Sequence, residues 1–370
     1  MKNLNMRILR WLIFVVLMSP LVVNATDWQI NINGAMRISY NMDECDSSCL
    51  DLWRSTDPDA TSDEESYTYL TGDISQFAIS GIRRMDIGVE TVFKTEWRID
   101  SPESEDENIF TGYEQYIGLG GRSGLLRAGT IETPYMQTGL MIDPFYSDAL
   151  STRFFVDIQS ALHHTNGKGR GRSTNTLQYD SSVSSNGLGV QLFTAIDNSS
   201  DNDNSYGAGL TYTSAALRMF VQYYDNGESG DDEAYKVGWK MGSESFSIFG
   251  QYEFDQGLIS LSENLSSLST EDVNTANGDN TYEHNQTTGA DVWYLGTTYN
   301  FGQFMLIYEY GKRKDSKGGR EKDDGHTGWI LGIRLHIDDY FYFYGGYLKR
   351  EFNDDNDKDT RYTIGATLTF

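Results

Sequence analysis

The last nine residues, Tyr362-Thr-Ile-Gly-Ala-Thr-Leu-Thr-Phe370, constrain the fold more than any other segment. Tyr362, Ile364, Ala366, Leu368 and Phe370 share one parity; Thr363, Gly365, Thr367 and Thr369 share the other. A repeat of two is a β-strand with one apolar face. The polar parity holds only small residues, which suits a wall facing water or a neighbouring element. The sequence ends on the strand itself, at an aromatic residue. A terminal strand is an edge with unpaired backbone groups, and closing the sheet on itself removes that edge. In a bilayer closure is obligatory, because no water satisfies an open edge. The segment therefore predicts a closed membrane barrel whose last strand pairs with its first.

The opposite end reads as an export segment. Lys2, Arg7 and Arg10 precede the apolar run Trp11–Met18, and Val23-Asn24-Ala25 supplies small residues for cleavage. Residues 1–25 are thus expected to be removed, leaving one barrel domain over 26–370. The apolar run is shorter than the roughly 20 residues a spanning helix needs, which argues against a retained anchor. Export also decides how Cys45 and Cys49, the only cysteines, are read. In an oxidising compartment they are candidates for a disulfide closing a small ring in a long acidic loop. No histidine lies in that loop to complete a metal site.

Acidic residues number 54 against 29 basic ones, a net charge of −25. Phosphate binding needs a basic patch, so no nucleic-acid partner is expected. The chain is rich in Gly (37), Tyr (24) and Phe (18) and has only 5 Pro. Alternating segments recur near 27–41, 67–83, 87–100, 110–120, 124–131, 172–181, 187–197, 205–215, 217–225, 233–243, 245–255, 289–300, 303–312, 325–337, 340–350 and 359–370. The even total fits an all-β, closed 16-stranded antiparallel transmembrane barrel, here with a long third loop. Short turns, such as Arg84–Asp86 and Gly121–Ser123, alternate with long connectors, such as 42–66, 132–171 and 256–288. Outer-membrane barrels place short turns on the periplasmic side and long loops outside.

In the segment 87–100, Val89, Thr91, Phe93, Thr95 and Trp97 share one parity, and Glu90, Lys94, Glu96 and Arg98 the other. Four ionisable groups in lipid are prohibitively costly, so the second set is assigned to the lumen. By the same parity Arg37 opposes Ile30, Ile32, Met36 and Ile38, and Arg172 opposes Leu177 and Tyr179. The pair His163-His164 is a poor metal site, because adjacent residues of an extended segment point apart. No Gly-x-Ser-x-Gly, His-Glu-x-x-His or phosphate-loop motif occurs, and no cofactor is implied.

Three segments resemble the general (trimeric) porins of Gram-negative bacteria: Ser75–Glu96 with its tight turn, Gln115–Tyr135 with Gly121-Arg-Ser-Gly124, and Arg172–Tyr179. The terminal Phe370 resembles the assembly signal of outer-membrane barrels. The resemblance implies outer-membrane localisation and a homotrimer set among lipid and lipopolysaccharide. It also implies a water-filled pore for small hydrophilic solutes and ions, with a third loop, about 132–171, folded inward. Acidic groups of that loop would face a basic wall. Arg37, Lys94, Arg98 and Arg172 are the wall candidates, with a position at the rim as the alternative for Arg37 and Arg98. Glu132, Asp143, Asp148 and Asp157 are the loop candidates, with turn capping as the alternative. The chain departs from the family pattern at Tyr113 and Thr130, where arginines are usual. Losing two cations predicts a preference for cations.

Other readings stay open. Tyr113, Tyr135 and Phe145 would suit a stacking track in an oligosaccharide-specific channel. A barrel hydrolase would need a nucleophile beside one of only five histidines, so no enzyme activity is expected.

Overall fold

A computed structural model describes residues 28–45, 66–72, 75–99, 110–151, 172–196, 204–225, 233–255, 290–315, 325–353 and 358–370. The export segment, Cys49, Asp157, His163 and His164 lie outside these residues, as do the side chains of Cys45 and Arg172. The strands are β1 (Trp28–Cys45), β2 (Ser66–Thr71), β3 (Gln76–Arg84), β4 (Glu90–Ile99), β5 (Phe110–Gly121), β6 (Gly124–Glu132), β7 (Arg172–Ser181), β8 (Leu188–Ala195) and β9 (Ser205–Thr213). They continue as β10 (Leu217–Asp225), β11 (Glu233–Gly242), β12 (Phe246–Asp255), β13 (Val292–Phe301), β14 (Phe304–Arg313), β15 (His326–His336), β16 (Phe341–Phe352) and β17 (Lys358–Thr369). One short helix, α1 (Pro134–Leu140), follows β6.

All pairings are antiparallel, and β17 pairs with β1 from Ala35↔Thr369 to Cys45↔Asp359, closing the sheet. Phe370 adds a reciprocal pair of backbone hydrogen bonds with Gly34, at 3.0 and 3.1 Å. The seventeen strands fill sixteen wall positions. β2 and β3 both pair with β1, on Ser39–Glu44 and Trp28–Ala35 respectively, so they are one interrupted strand where the sequence predicted a continuous one. The break strands the Arg37 backbone N–H, which donates to Ser75 Oγ at 2.8 Å; that hydroxyl also lies 2.7 Å from the Gly72 carbonyl.

The outward parity presents isoleucine, leucine, valine and aromatic side chains to the bilayer, including Ile32, Ile117, Leu210 and Ile364, all exposed. Aromatic rings band both rims. Tyr299, Phe301 and Phe304 stack in series near the short turns, at 5.9 and 5.4 Å between centroids. Trp329, Tyr347 and Tyr362 meet tilted and edge to face near the long connectors, at 4.8 and 5.0 Å. Such girdles sit at the two lipid headgroup levels.

The inward parity divides into two sectors. On β10 to β16 it carries an apolar patch between charged groups such as Arg218, Lys240, Glu309 and Arg350: Phe220, Phe249, Ile307, Ile330, Tyr344 and Leu348 form a buried cluster with Ile142, Phe145 and Leu150. Phe193, Phe220, Phe249 and Tyr344 lie flat over Gly207, Gly238, Gly296 and Gly365, where an added Cβ would fall 2.1 to 2.4 Å from a ring carbon. Glycine is needed there because any side chain would displace the ring. On β4 to β8 the same parity is charged or polar: Lys94, Glu96, Glu114, Arg127, Asp180 and Gln191.

Candidate functional site

The interior is organised by the loop after β6. Thr133 caps α1, its hydroxyl accepting from the Met136 N–H at 3.4 Å, and Pro134 starts the first turn. Both are standard signals for a helix start. The chain then follows the inner wall in sequence order. Tyr135 is clasped between two cross-strand partners, Lys236 of β11 and Glu253 of β12. The Tyr135 hydroxyl donates to Glu253 Oε1 at 2.6 Å. Lys236 Nζ donates to the Tyr135 carbonyl and lies 4.2 Å from the centre of its ring. All three groups are buried.

Ile142, Phe145 and Leu150 next fill the apolar sector, and Phe145 rests where a Cβ on Gly332 would be 2.5 Å away. Asp148 then closes a second clasp. Its carboxylate is 1 % exposed and accepts from Arg334 at 2.6 Å, with Arg37 Nε at 3.9 Å and the Tyr342 hydroxyl at 3.4 Å. Arg361 donates to the Ala149 carbonyl at 3.1 Å while pairing with Asp43 at 2.8 Å. Arg334 also donates to the Pro144 carbonyl and stacks on Phe145 and Tyr342, at 5.1 and 4.6 Å. Over its described course the loop is a strap on the wall from β8 to β17 and β1.

The wall of β4 to β7, away from these contacts, carries two β-bulges. Thr95↔Gln115 and Trp97↔Gly112 leave Tyr113 and Glu114 both opposite Glu96. Gly129↔Thr176 and Ile131↔Ser173 leave Thr174 and Asn175 opposite Thr130, with Asn175 at φ 52°. Bulges re-aim side chains locally. The first gathers Glu114 and Glu96 around Lys94 Nζ, at 2.7 and 2.5 Å. The other oxygen of Glu114 accepts from the Glu132 N–H at 2.8 Å, at the root of the strap. Alongside, Arg127 pairs with Asp180 at 2.6 Å and stacks over Tyr116 at 5.1 Å.

The candidates picked out by parity and resemblance therefore occupy distinct places. Lys94 is half-buried between its two carboxylates, 24 % exposed, and Arg98 is half-buried opposite Gln76. Arg37 approaches Asp148, and Arg172 begins β7 opposite Glu132. Asp143 is buried and caps a turn: it accepts from the Phe145 N–H at 2.7 Å and from the Ser151 hydroxyl at 3.4 Å. Asp148 faces the wall beneath the strap. Tyr135 and Phe145, both with 0 % exposure, are anchors on which no solute can stack. Parity missed Glu114, Arg334, Arg361 and the Lys236–Glu253 clasp. The bulge hid the first, and the others gain their role from contacts distant in sequence.

Residues 14–260 match the family model described as Gram-negative porin. No curated protein sequence matches. Among solved structures, the chain is similar to an anion-selective porin from Comamonas acidovorans, at 13 % identity and TM-score 0.72, covering 93 % of this chain and all of that one. It is also similar to the trimer form of OmpT, an outer membrane protein of Vibrio cholerae, at 11 % identity and TM-score 0.61, covering 93 % of this chain and all of that one. A mutant porin of Rh. blastica aligns over 92 % of this chain and all of its own, at 14 % identity and TM-score 0.59.

Proposed function

Because this chain belongs to the Gram-negative porin family and is an outer-membrane channel, we propose that it passes small hydrophilic solutes and ions by passive diffusion, with a preference for cations. The observation that carries this reading is the division of the inner wall. The apolar sector is covered by the strap, while the half-exposed ionisable groups Lys94, Arg98 and Asp180 stand on the sector away from it. Water and solutes follow the polar sector, and a pore of this kind discriminates by width and wall charge.

Cation preference rests on charge balance. The single ammonium of Lys94 sits between two carboxylates, Arg127 is matched by Asp180, and the chain as a whole carries −25. A mouth lined by one sign of charge concentrates the opposite ion. The anion selectivity named for the Comamonas porin belongs to that protein; here the Lys94 cluster and the Arg127–Asp180 pair together hold one more carboxylate than cation. We also assign export with removal of residues 1–25, no catalytic activity, and assembly as a homotrimer like the trimer form of OmpT. Single-channel recording in a planar bilayer under a potassium chloride gradient tests the reading. Openings in groups of three with a cation-selective reversal potential are expected. A chloride-selective potential overturns the preference, and a folded barrel without conductance overturns the channel.

A further inference from the structure

The strap and its clasps leave a pair of like charges in the lumen unanswered. Arg218 of β10 and Lys240 of β11 are direct cross-strand partners on the inward parity. Arg218 is exposed and Lys240 is half-buried. Like charges placed directly opposite one another destabilise a strand pair. Other cations of the inner wall are matched: Lys94, Arg127, Arg334, Arg350 and Arg361 each have a carboxylate oxygen within 3.0 Å. Arg218 and Lys240 make no hydrogen bond or ion pair among the described residues; Lys240 Nζ only approaches the Phe249 ring, 5.5 Å from its centre.

The pair sits in the half of the lumen nearest the short turns, since Arg218 is the second residue of β10 and Lys240 comes two before the end of β11. Its other neighbours across the ladder are Thr213 on β9 and Phe249 on β12. From there to the short turns the inward side of β11–β13 continues as Gly242, Ser247, Thr298 and Asn300, with no carboxylate. Asp143 of the strap, Glu309 of β14 and Arg334 also act electrostatically on Lys240. Asp143 is committed to the Phe145 N–H and the Ser151 hydroxyl, and Arg334 to Asp148. Glu309 lies beyond the Phe249 ring, which covers Gly296 between their two strands, and both acids are buried.

We propose that Arg218 and Lys240 form a binding site for a small phosphate dianion, free or as a monoester, on the short-turn side of the strap. Side chains paired across two strands start about 5 Å apart, so a guanidinium and an ammonium on long stems can close on one group. A single carboxylate brings one negative charge and answers half the pair. A phosphate brings about 1.5 to 2 charges near neutral pH, with oxygens for the fork of an arginine and the point charge of a lysine. Short turns lie on the periplasmic side of such barrels, so the ligand is met from the periplasm without passing the strap. Once occupied, the site neutralises the pair and removes a positive step from the path of a cation.

Equilibrium dialysis of radiolabelled inorganic phosphate against the full-length barrel in micelles reads the site whether or not the channel conducts. Saturable binding is expected, with a dissociation constant that rises at least about tenfold in R218Q/K240Q. R218K/K240R should retain binding, and R122Q, on the short turn between β5 and β6, should leave it unchanged. At about pH 5 phosphate is a monoanion and should bind at least about tenfold more weakly than at about pH 8, whereas sulfate, a dianion at both, should bind equally. That comparison needs no variant, so it decides the matter if R218Q/K240Q fails to fold. Displacement of the label by glycerol phosphate assigns the monoester as well, and failure to displace it assigns the free ion. In planar bilayers, millimolar phosphate on the short-turn side should raise cation selectivity in the parent and not in R218Q/K240Q. No saturable binding to the parent, undiminished binding in R218Q/K240Q, or equal weakening of phosphate and sulfate at low pH would each overturn the proposal.

Discussion

The apolar seat of Phe145 gives the sharpest test of the strap. Its side chain has no exposure, its ring centre lies 6.2 Å from that of Tyr344, it covers Gly332, and Arg334 stacks on it at 5.1 Å. Truncating a fully buried phenylalanine to alanine costs about 3–5 kcal/mol, from lost burial and the cavity left behind. At about 1.4 kcal/mol per tenfold, the ratio of unseated to seated strap rises by roughly two to three and a half powers of ten. Phe145→Leu keeps most of the volume and costs under about 1.5 kcal/mol, a shift of about tenfold at most. Because the residue contributes nothing to the strand ladder, heat resistance of the barrel on unboiled gels should not change. Single-channel dwell times are the assay. Phe145→Ala should spend at least about a hundredfold more time away from the main conductance level than the parent, and Phe145→Leu should resemble the parent. Dwell times for Phe145→Ala within tenfold of the parent, with the barrel intact, would refute the reasoning. So would melting of the barrel itself, because that would place Phe145 in the wall's stability rather than in the strap's seat.

Asp148→Asn leaves Arg334 and Arg37 facing a neutral group under the strap; removing one partner of a buried pair costs about 3–5 kcal/mol, so frequent closures are expected in the same recordings. Because Arg334 touches both Asp148 and Phe145, the double variant should show a non-additive effect, and strict additivity would show the two contacts to be independent. Glu114→Gln removes the charge facing Lys94, costs about 1.5–3 kcal/mol in charge-assisted hydrogen bonding, and should move the reversal potential toward chloride; an unchanged potential would remove this triad from ion selection. Gly207→Ala places a Cβ 2.1 Å from the Phe193 ring and 2.6 Å from the Tyr223 carbonyl, and should lower refolding yield, whereas Gly120→Ala meets nothing nearer than 3.6 Å and should not. Gel-shift yields compare the two directly.

Much of the barrel was legible because its wall obeys a period of two. Strand β7 runs Arg172–Ser181 and β10 runs Leu217–Asp225, where alternation alone put them. The interruption at residues 72–75 was not, although the register on β1 slips by one residue there: Leu70 of β2 lies opposite Tyr40 and Ile79 of β3 opposite Ile32, and a slip between two short runs leaves each run's own alternation intact. The helix α1 had its signal in Thr133-Pro134, masked by reading the whole segment as loop. The covered sector was also written in the chain. In β12, Ile248 and Phe249 are apolar on successive parities, as in a strand buried on both faces. Assigning the lumen from charged residues alone overlooked it. The places of Asp143 and Asp148 were not legible: both are acids in one loop, yet one caps its own backbone while the other meets arginines on β1 and β15, contacts no local pattern encodes.

The seam between β1 and β17 has a consequence for how the barrel comes to exist. Each hairpin across a short turn closes over a few residues, but Ala35 meets Thr369 across nearly the entire chain. Closing so long a span costs about 4 kcal/mol more chain entropy than closing a four-residue turn. The penalty falls on a single step, since the eleven residue pairs from Ala35↔Thr369 to Cys45↔Asp359 have no partner until both ends arrive. Before that step the two longest-lived bare edges belong to the same molecule and match each other in register, so a neighbouring copy offers an equally good mate. Assembly is thus a contest between self-pairing and cross-pairing, won by whatever keeps the ends of one chain nearer to each other than to any other chain.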